Sequence, residues 1–162
     1  VFPIRDYEGN LVSIKGRTLK KDFVERGIPK YLYYYNIIGA LFLFNYYEHY
    51  FDILDSEYLI VSESEKSCLQ LHSMGIYNVV ATSKKRISEE QAQEINDLGK
   101  KIVLAYDNDV TLGEIKMELS KLNGEVYYIK DTFGLLGKKD SPSDKGYEVW
   151  NKLYQNKFKL ER

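Results

Sequence analysis

Apolar and polar positions follow two different rhythms along this chain. From Glu57 onward, short continuous apolar runs are separated by segments whose apolar residues recur every three to four positions. Tyr58-Leu59-Ile60-Val61 has the length and unbroken hydrophobicity of a strand covered on both faces. Cys68, Leu69, Leu71 and Met74 predict a helix stopped at Gly75, and Asn78–Ala81 predicts the next strand. Ser88-Glu89-Glu90-Gln91 is a capping-box pattern that opens a helix running to about Leu98, before Gly99. Lys101–Ala105 reads as a strand, Leu112–Leu122 as a helix ended at Gly124, and Glu125–Ile129 as a further strand. Repeated strand–helix units of this size predict an α/β fold, a parallel sheet with right-handed crossovers and helices on both faces.

Before Glu57 the pattern is extended and richer in turns. Val1–Arg5 is apolar, Glu8-Gly9-Asn10 supplies turn residues, and Leu11–Leu19 alternates polar and apolar positions. Lys20–Ile28 is charged and reads as exposed, and Pro29–Tyr35 as another extended stretch, followed by an aromatic segment ending near Leu54. The expected organisation is therefore a small, mainly β part over 1–54 and an α/β part over 55–162. The many tyrosines of the first part suit a base-stacking surface, but packing of their large apolar bodies is the favoured reading.

Composition narrows the class of protein. The 162 residues are 44% apolar and 29% charged, which is that of an ordinary globular chain. A net charge of −1 offers no global attraction to nucleic acid, so any such binding requires a local basic patch. One cysteine (Cys68) and two histidines (His49, His72) exclude a disulfide framework and an all-cysteine zinc site within this chain. Cys68 is expected to be buried and inert, and both histidines, which lack partners at metal spacing, to be packed or exposed. The best apolar run, Ile37–Phe44, is too short to span a membrane. The chain opens with Val-Phe-Pro and shows no signal peptide, so it is expected to be cytoplasmic and a piece of a longer protein.

In open parallel sheets, ligands gather at the carboxyl ends of the strands. The first strand of the α/β part ends in Ser62-Glu63-Ser64-Glu65, and the Lys101–Ala105 strand in Tyr106-Asp107-Asn108-Asp109. If the strand continues, Asp107 and Asp109 point to one side, and Glu63 joins them if the two strands are neighbours. Converging carboxylates repel unless a hard cation lies between them, and such oxygens suit Mg²⁺ or Mn²⁺. A turn followed by a helix N-cap favours the same residue types, so spacing alone leaves both readings open.

Ile60-Val61-Ser62-Glu63-Ser64-Glu65-Lys66-Ser67, followed some forty residues later by Ala105-Tyr106-Asp107-Asn108-Asp109, resembles the Toprim domain of primases, topoisomerases and certain nucleases. The resemblance implies that Glu63 is the Toprim glutamate and that Asp107 and Asp109 are the metal-binding aspartates. Ser64 stands where most members have glycine, and Ser67 where primases often have aspartate. Val1-Phe2-Pro3-Ile4-Arg5-Asp6, Gly9-Asn10, Lys15-Gly16-Arg17 and Pro29-Lys30-Tyr31-Leu32 look like the N-terminal subdomain of the RNA-polymerase core of DnaG-type primases, which directly precedes Toprim. Lys139-Asp140-Ser141-Pro142-Ser143-Asp144 resembles a late acidic element of that family, with Asp140 the better match and Asp144 displaced by extra residues.

The resemblance implies metal-dependent, template-directed synthesis of short RNA primers from ribonucleoside triphosphates on single-stranded DNA. Glu63, Asp107, Asp109 and Asp140 would hold Mg²⁺ or Mn²⁺, and Arg5, Arg17 and Lys30 would meet template and nucleotide phosphates. Lys84-Lys85-Arg86 is expected to be a solvated basic run. The zinc-binding and helicase-contact parts of such primases have no counterpart in these residues, a layout shortened as in phage primases. Two rivals remain, a Toprim nuclease whose acids activate water and a catalytically silent nucleic-acid-binding module.

Overall fold

The structure is a computed structural model that describes residues 1–35 and 41–162. The apolar run 37–44 therefore lies partly outside the described residues.

Three short strands, β1 (Phe2–Arg5), β2 (Leu11–Arg17) and β3 (Tyr31–Tyr33), form an antiparallel sheet in the order β1-β2-β3. The β1–β2 turn forms where its residues predict. Asp6 accepts the backbone N–H groups of Glu8 and Asn10 at 3.0 and 2.8 Å, and Gly9 takes φ +92°, a conformation that glycine adopts without steric cost.

A helix, α1 (Tyr50–Asp55), leads into the second sheet. Its strands β4 (Tyr58–Ser62), β5 (Val79–Ala81), β6 (Lys101–Ala105), β7 (Val126–Tyr128) and β8 (Phe158–Lys159) lie in the order β5-β4-β6-β7-β8. The first four are parallel, and β8 closes the edge antiparallel to β7. Helices α2 (Glu65–Ser73), α3 (Glu89–Asp97), α4 (Leu112–Leu119) and α5 (Tyr147–Gln155) cover it.

Strand alternation sorts the core into two faces. Leu59 and Val61 of β4, with Ile102 and Leu104 of β6, pack against Ala92 and Ile95 of α3 and Ile115 and Leu119 of α4. Ile60, Val103 and Ala105 point the other way, toward Cys68 and Leu71 of α2 and Trp150 and Leu153 of α5. Ile4 of β1 is fully buried in that second cluster, so the N-terminal sheet shares a core with the α/β part. Burial on both faces is why these strands read as unbroken apolar runs.

Helix boundaries follow local signals. Ser88 and Gln91 form a complete capping box at α3, and Thr111 and Glu114 form a second at α4. Gly75 follows α2 at φ +79°. Helix α4 stops at Leu119, three residues before its expected end, because Ser120 and Lys121 leave the helix in a turn; Leu122 stays buried in the core. Helix α5 and strand β8 went unanticipated, although Tyr147, Trp150 and Leu153 recur at helical spacing. Among the described residues no helix is long and apolar enough to cross a membrane.

Candidate active site at the ends of the central strands

Strand order places the crevice. Strand β5 lies on one side of β4 and β6 on the other, so the crossovers leaving β4 and β6 diverge and open a space at their carboxyl ends. Ser62 and Ala105 are register partners. The residues that follow them therefore emerge side by side, and a Glu63 carboxylate oxygen accepts the backbone N–H of Asp107 at 3.0 Å.

Strand β6 ends at Ala105, so strand alternation does not orient Asp107 and Asp109. They sit in a turn closed by the Val110 N–H on the Asp107 carbonyl at 3.0 Å, and Thr111 caps the helix that follows. Burial pushes the Glu63 carboxyl up to about 7; the Asp107 N–H opposes the rise, and the charges of Asp107 and Asp109 reinforce it. Asp107 is also raised, by burial first and then by Asp109 and Asp144. Asp109 is exposed and acts on both through its charge.

A cleft of about 280 Å³ opens over these acids. Glu63, Glu65, Asp107 and Asp144 line it with seven basic side chains, among them Arg17, Lys30, Lys84, Lys85 and Lys139. Basic and acidic side chains thus gather around one cleft in a chain whose net charge is −1. Arg17 and Lys30 both flank the Tyr31 ring, 5.8 Å from its centroid. Lys84 and Lys85, expected to be simply solvated, face the cleft, with Lys85 bonded to Glu114 at 2.6 Å.

Arg5 and Asp140 do not line this cleft, although the Asp140 carbonyl accepts the Asn108 N–H at 2.9 Å. Arg5 donates to the Gly9 carbonyl at 2.8 Å and pairs with Glu48 at 3.4 Å, bracing the β1–β2 turn. Asp140 accepts the Gly137 N–H at 2.8 Å and pairs with Lys145 at 2.9 Å. Of the two late acids, Asp144 lines the cleft, bonded to Lys66, to the Gln70 amide at 2.9 Å and to the Ser141 N–H at 2.9 Å.

Sequence reading missed the pair Lys15–Glu65. Lys15 Nζ reaches both carboxylate oxygens at 2.8 and 3.1 Å, with the side chains 6% and 0% exposed. Ser83, in the left-handed region at φ +60°, donates its hydroxyl to Glu65 at 2.6 Å. The pair ties β2 to the first turn of α2. Lysine at an inward position of an alternating strand was the available signal, since buried lysine requires an acid.

Ser64 needs no glycine. Its backbone is extended at φ −127° and ψ 148°, and its hydroxyl caps α2 by accepting the Ser67 N–H at 3.3 Å. Cys68 is fully buried, and burial pushes its thiol well up, as expected of an inert residue. His49 and His72 meet with 4.5 Å between ring centroids beside Tyr77.

Among the described residues no three His, Cys, Asp or Glu side chains draw together as a ready-made metal cage. The donor chemistry nonetheless fits a hard divalent cation. Mg²⁺ takes one or two carboxylates and completes its shell with water and substrate phosphate. Glu63 and Asp107 adjoin, and both carboxyls are raised, by burial first and then by the charge of neighbouring acids.

Strand order, switch-point crevice and acids define a Toprim domain, and residues 58–132 match the family model of that name. The wider fold is that of a DnaG-type primase catalytic core. The chain is 30% identical over 111 residues to a DNA primase of Clostridium acetobutylicum, a match covering 67% of this chain and 18% of that protein. The Aquifex aeolicus primase structure (zinc binding and RNA polymerase domains) superposes with a TM-score of 0.78 at 26% identity, over 98% of this chain and 40% of that one. A DnaG primase catalytic domain bound to single-stranded DNA has the same fold, with a TM-score of 0.73 at 20% identity over 97% of this chain and 52% of that one. The chain thus spans about a fifth of the length of the curated primase it matches.

Proposed function

We propose that this chain is the catalytic part of a DNA primase, joining ribonucleotides into short RNA on a single-stranded DNA template. The observation that carries the reading is how the acids in and near the cleft are sorted. Glu65, Asp144, Asp140 and Glu114 are paired with Lys15, Lys66, Lys145 and Lys85 respectively. Among the described residues, Glu63, Asp107 and Asp109 have no such lysine, and their charge is left for a cation from outside.

Glu63, Asp107 and Asp109 would hold Mg²⁺ or Mn²⁺. A hard cation bound there would polarise phosphoryl oxygens and stabilise charge on departing pyrophosphate. Arg17 and Lys30, which line the same cleft, would hold nucleotide and template phosphates, Arg17 through its two-pronged guanidinium and Lys30 as a point charge. In the step itself a bond forms between the primer 3′-oxygen and the α-phosphorus while the bond to pyrophosphate breaks. The 3′-hydroxyl proton is released to solvent water as the new bond forms. Arg5 and Asp140 support this work from the turns they brace.

The test is to incubate the chain with labelled single-stranded DNA, labelled ribonucleoside triphosphates and Mg²⁺ or Mn²⁺, and to resolve both labels on one gel. Short RNA that disappears with Asp107→Ala supports the reading. Shortened DNA without RNA makes the protein a Toprim nuclease, and no product from either label points to a binding module.

A further inference from the structure

The cleft's acids differ in what already satisfies them, and both oxygens of Asp144 are engaged. One of its oxygens receives the Lys66 ammonium in a tight ion pair together with the Gln70 amide at 2.9 Å, and the other accepts the Ser141 N–H at 2.9 Å. The Lys66 and Asp144 side chains are 34% and 17% exposed, and both line the cleft with Glu63 and Asp107. The pair is held from both ends. Lys66 belongs to the first turn of α2, and Ser67 beside it bonds its hydroxyl to Ser141 at 3.1 Å, which draws the Ser141–Asp144 turn onto the helix.

We propose that Lys66 is a built-in cation that occupies the Asp144 side of the cleft, so that the site takes a single divalent ion, on the Glu63–Asp107 side. The proposal rests on the reading of Glu63, Asp107 and Asp109 as the metal-binding acids. Clustered carboxylates need positive charge among them, and either a metal ion or an ammonium supplies it. An ion placed against Asp144 would have to displace Lys66 and Gln70 and would then face the freed ammonium at short range. Lys66 is part of the chain and cannot dissociate as a bound ion can, so its ammonium remains in the cleft whatever the metal concentration. A lysine there can also meet a phosphate oxygen as a point charge.

The experiment counts Mn²⁺ bound to the intact chain, by loss of the free-ion signal in electron paramagnetic resonance, with no nucleotide present. One equivalent is expected in the wild type, lost in Asp107→Asn. Lys66→Met should bind a second equivalent, and Lys66→Arg, which keeps the charge, should remain at one. Two equivalents in the wild type, one of them lost in Asp107→Asn, would overturn the role of Lys66 while leaving the acid triad intact. No Mn²⁺ bound at all would overturn the triad reading and this one with it. A folded Lys66→Met chain that stays at one equivalent would also overturn the proposal. Folding is checked by circular dichroism, and if Lys66→Met does not fold, Lys66→Gln, similar in length and uncharged, takes its place with the same expectation.

Discussion

Glu63 carries the most testable electrostatics in the molecule. Its carboxyl is raised by burial from the ordinary glutamate range to about 7, so between roughly pH 4.5 and 7 the folded chain holds a proton that the unfolded chain has released. The stability associated with this residue is therefore fully present below the unfolded value and lost as pH rises through the folded one. Glu63→Gln is expected to remove that loss and stabilise the metal-free protein at pH 8 by about 1–2 kcal/mol, discounted for solvent screening in an open cleft. Urea unfolding at pH 5 and pH 8 measures it; an equal effect at both values would show that Glu63 does not titrate in this window. The same substitution should abolish the proposed primer synthesis, because it removes a negative charge that would hold the cation.

Between elements, the Lys15–Glu65 pair is the principal polar link from the N-terminal sheet to the helix that borders the cleft. A fully buried carboxylate stripped of its cation is costly, so Lys15→Met should destabilise by about 3 kcal/mol, while the double change Lys15→Met/Glu65→Leu should recover most of that loss. Denaturant midpoints of the three proteins form the check, and additive losses in the double variant would rule out the coupling. Helix α3 offers a simpler case. Its capping box at Ser88 satisfies two otherwise unpaired backbone N–H groups, and Ser88→Ala should cost about 1 kcal/mol in the same measurement.

For the molecule as a whole, net charge is a poor guide and charge placement a good one. A chain of net charge −1 gathers seven basic side chains around one cleft, so binding of single-stranded DNA should be weak and steeply salt-dependent. Lys30→Ala should reduce the slope of log affinity against log salt by about 0.7, the value for one phosphate contact on a single strand. Fluorescence anisotropy over a salt series gives the slope, and an unchanged slope would remove Lys30 from the interface.

Local signals made much of this protein readable from its residues. The parallel strands declare themselves as Tyr58–Val61 and Lys101–Ala105 because burial on both faces demands unbroken apolar runs. The start of α3 is written in Ser88 and Gln91, and the β1–β2 turn in Asp6 and Gly9, because caps and turns depend on neighbours in the chain. Glu63 and Asp107 could be named as candidates, since strand ends are where such sheets bind ligands. Their meeting was decided only in three dimensions, by β4 pairing with β6 and not merely preceding it. The same holds for Lys15 with Glu65 and Lys66 with Asp144, separated by 50 and 78 residues. Ion pairs so distant in sequence leave no periodic trace. Which acids keep their charge open and which have it answered depends on packing, and that sorting turns a list of carboxylates into a site.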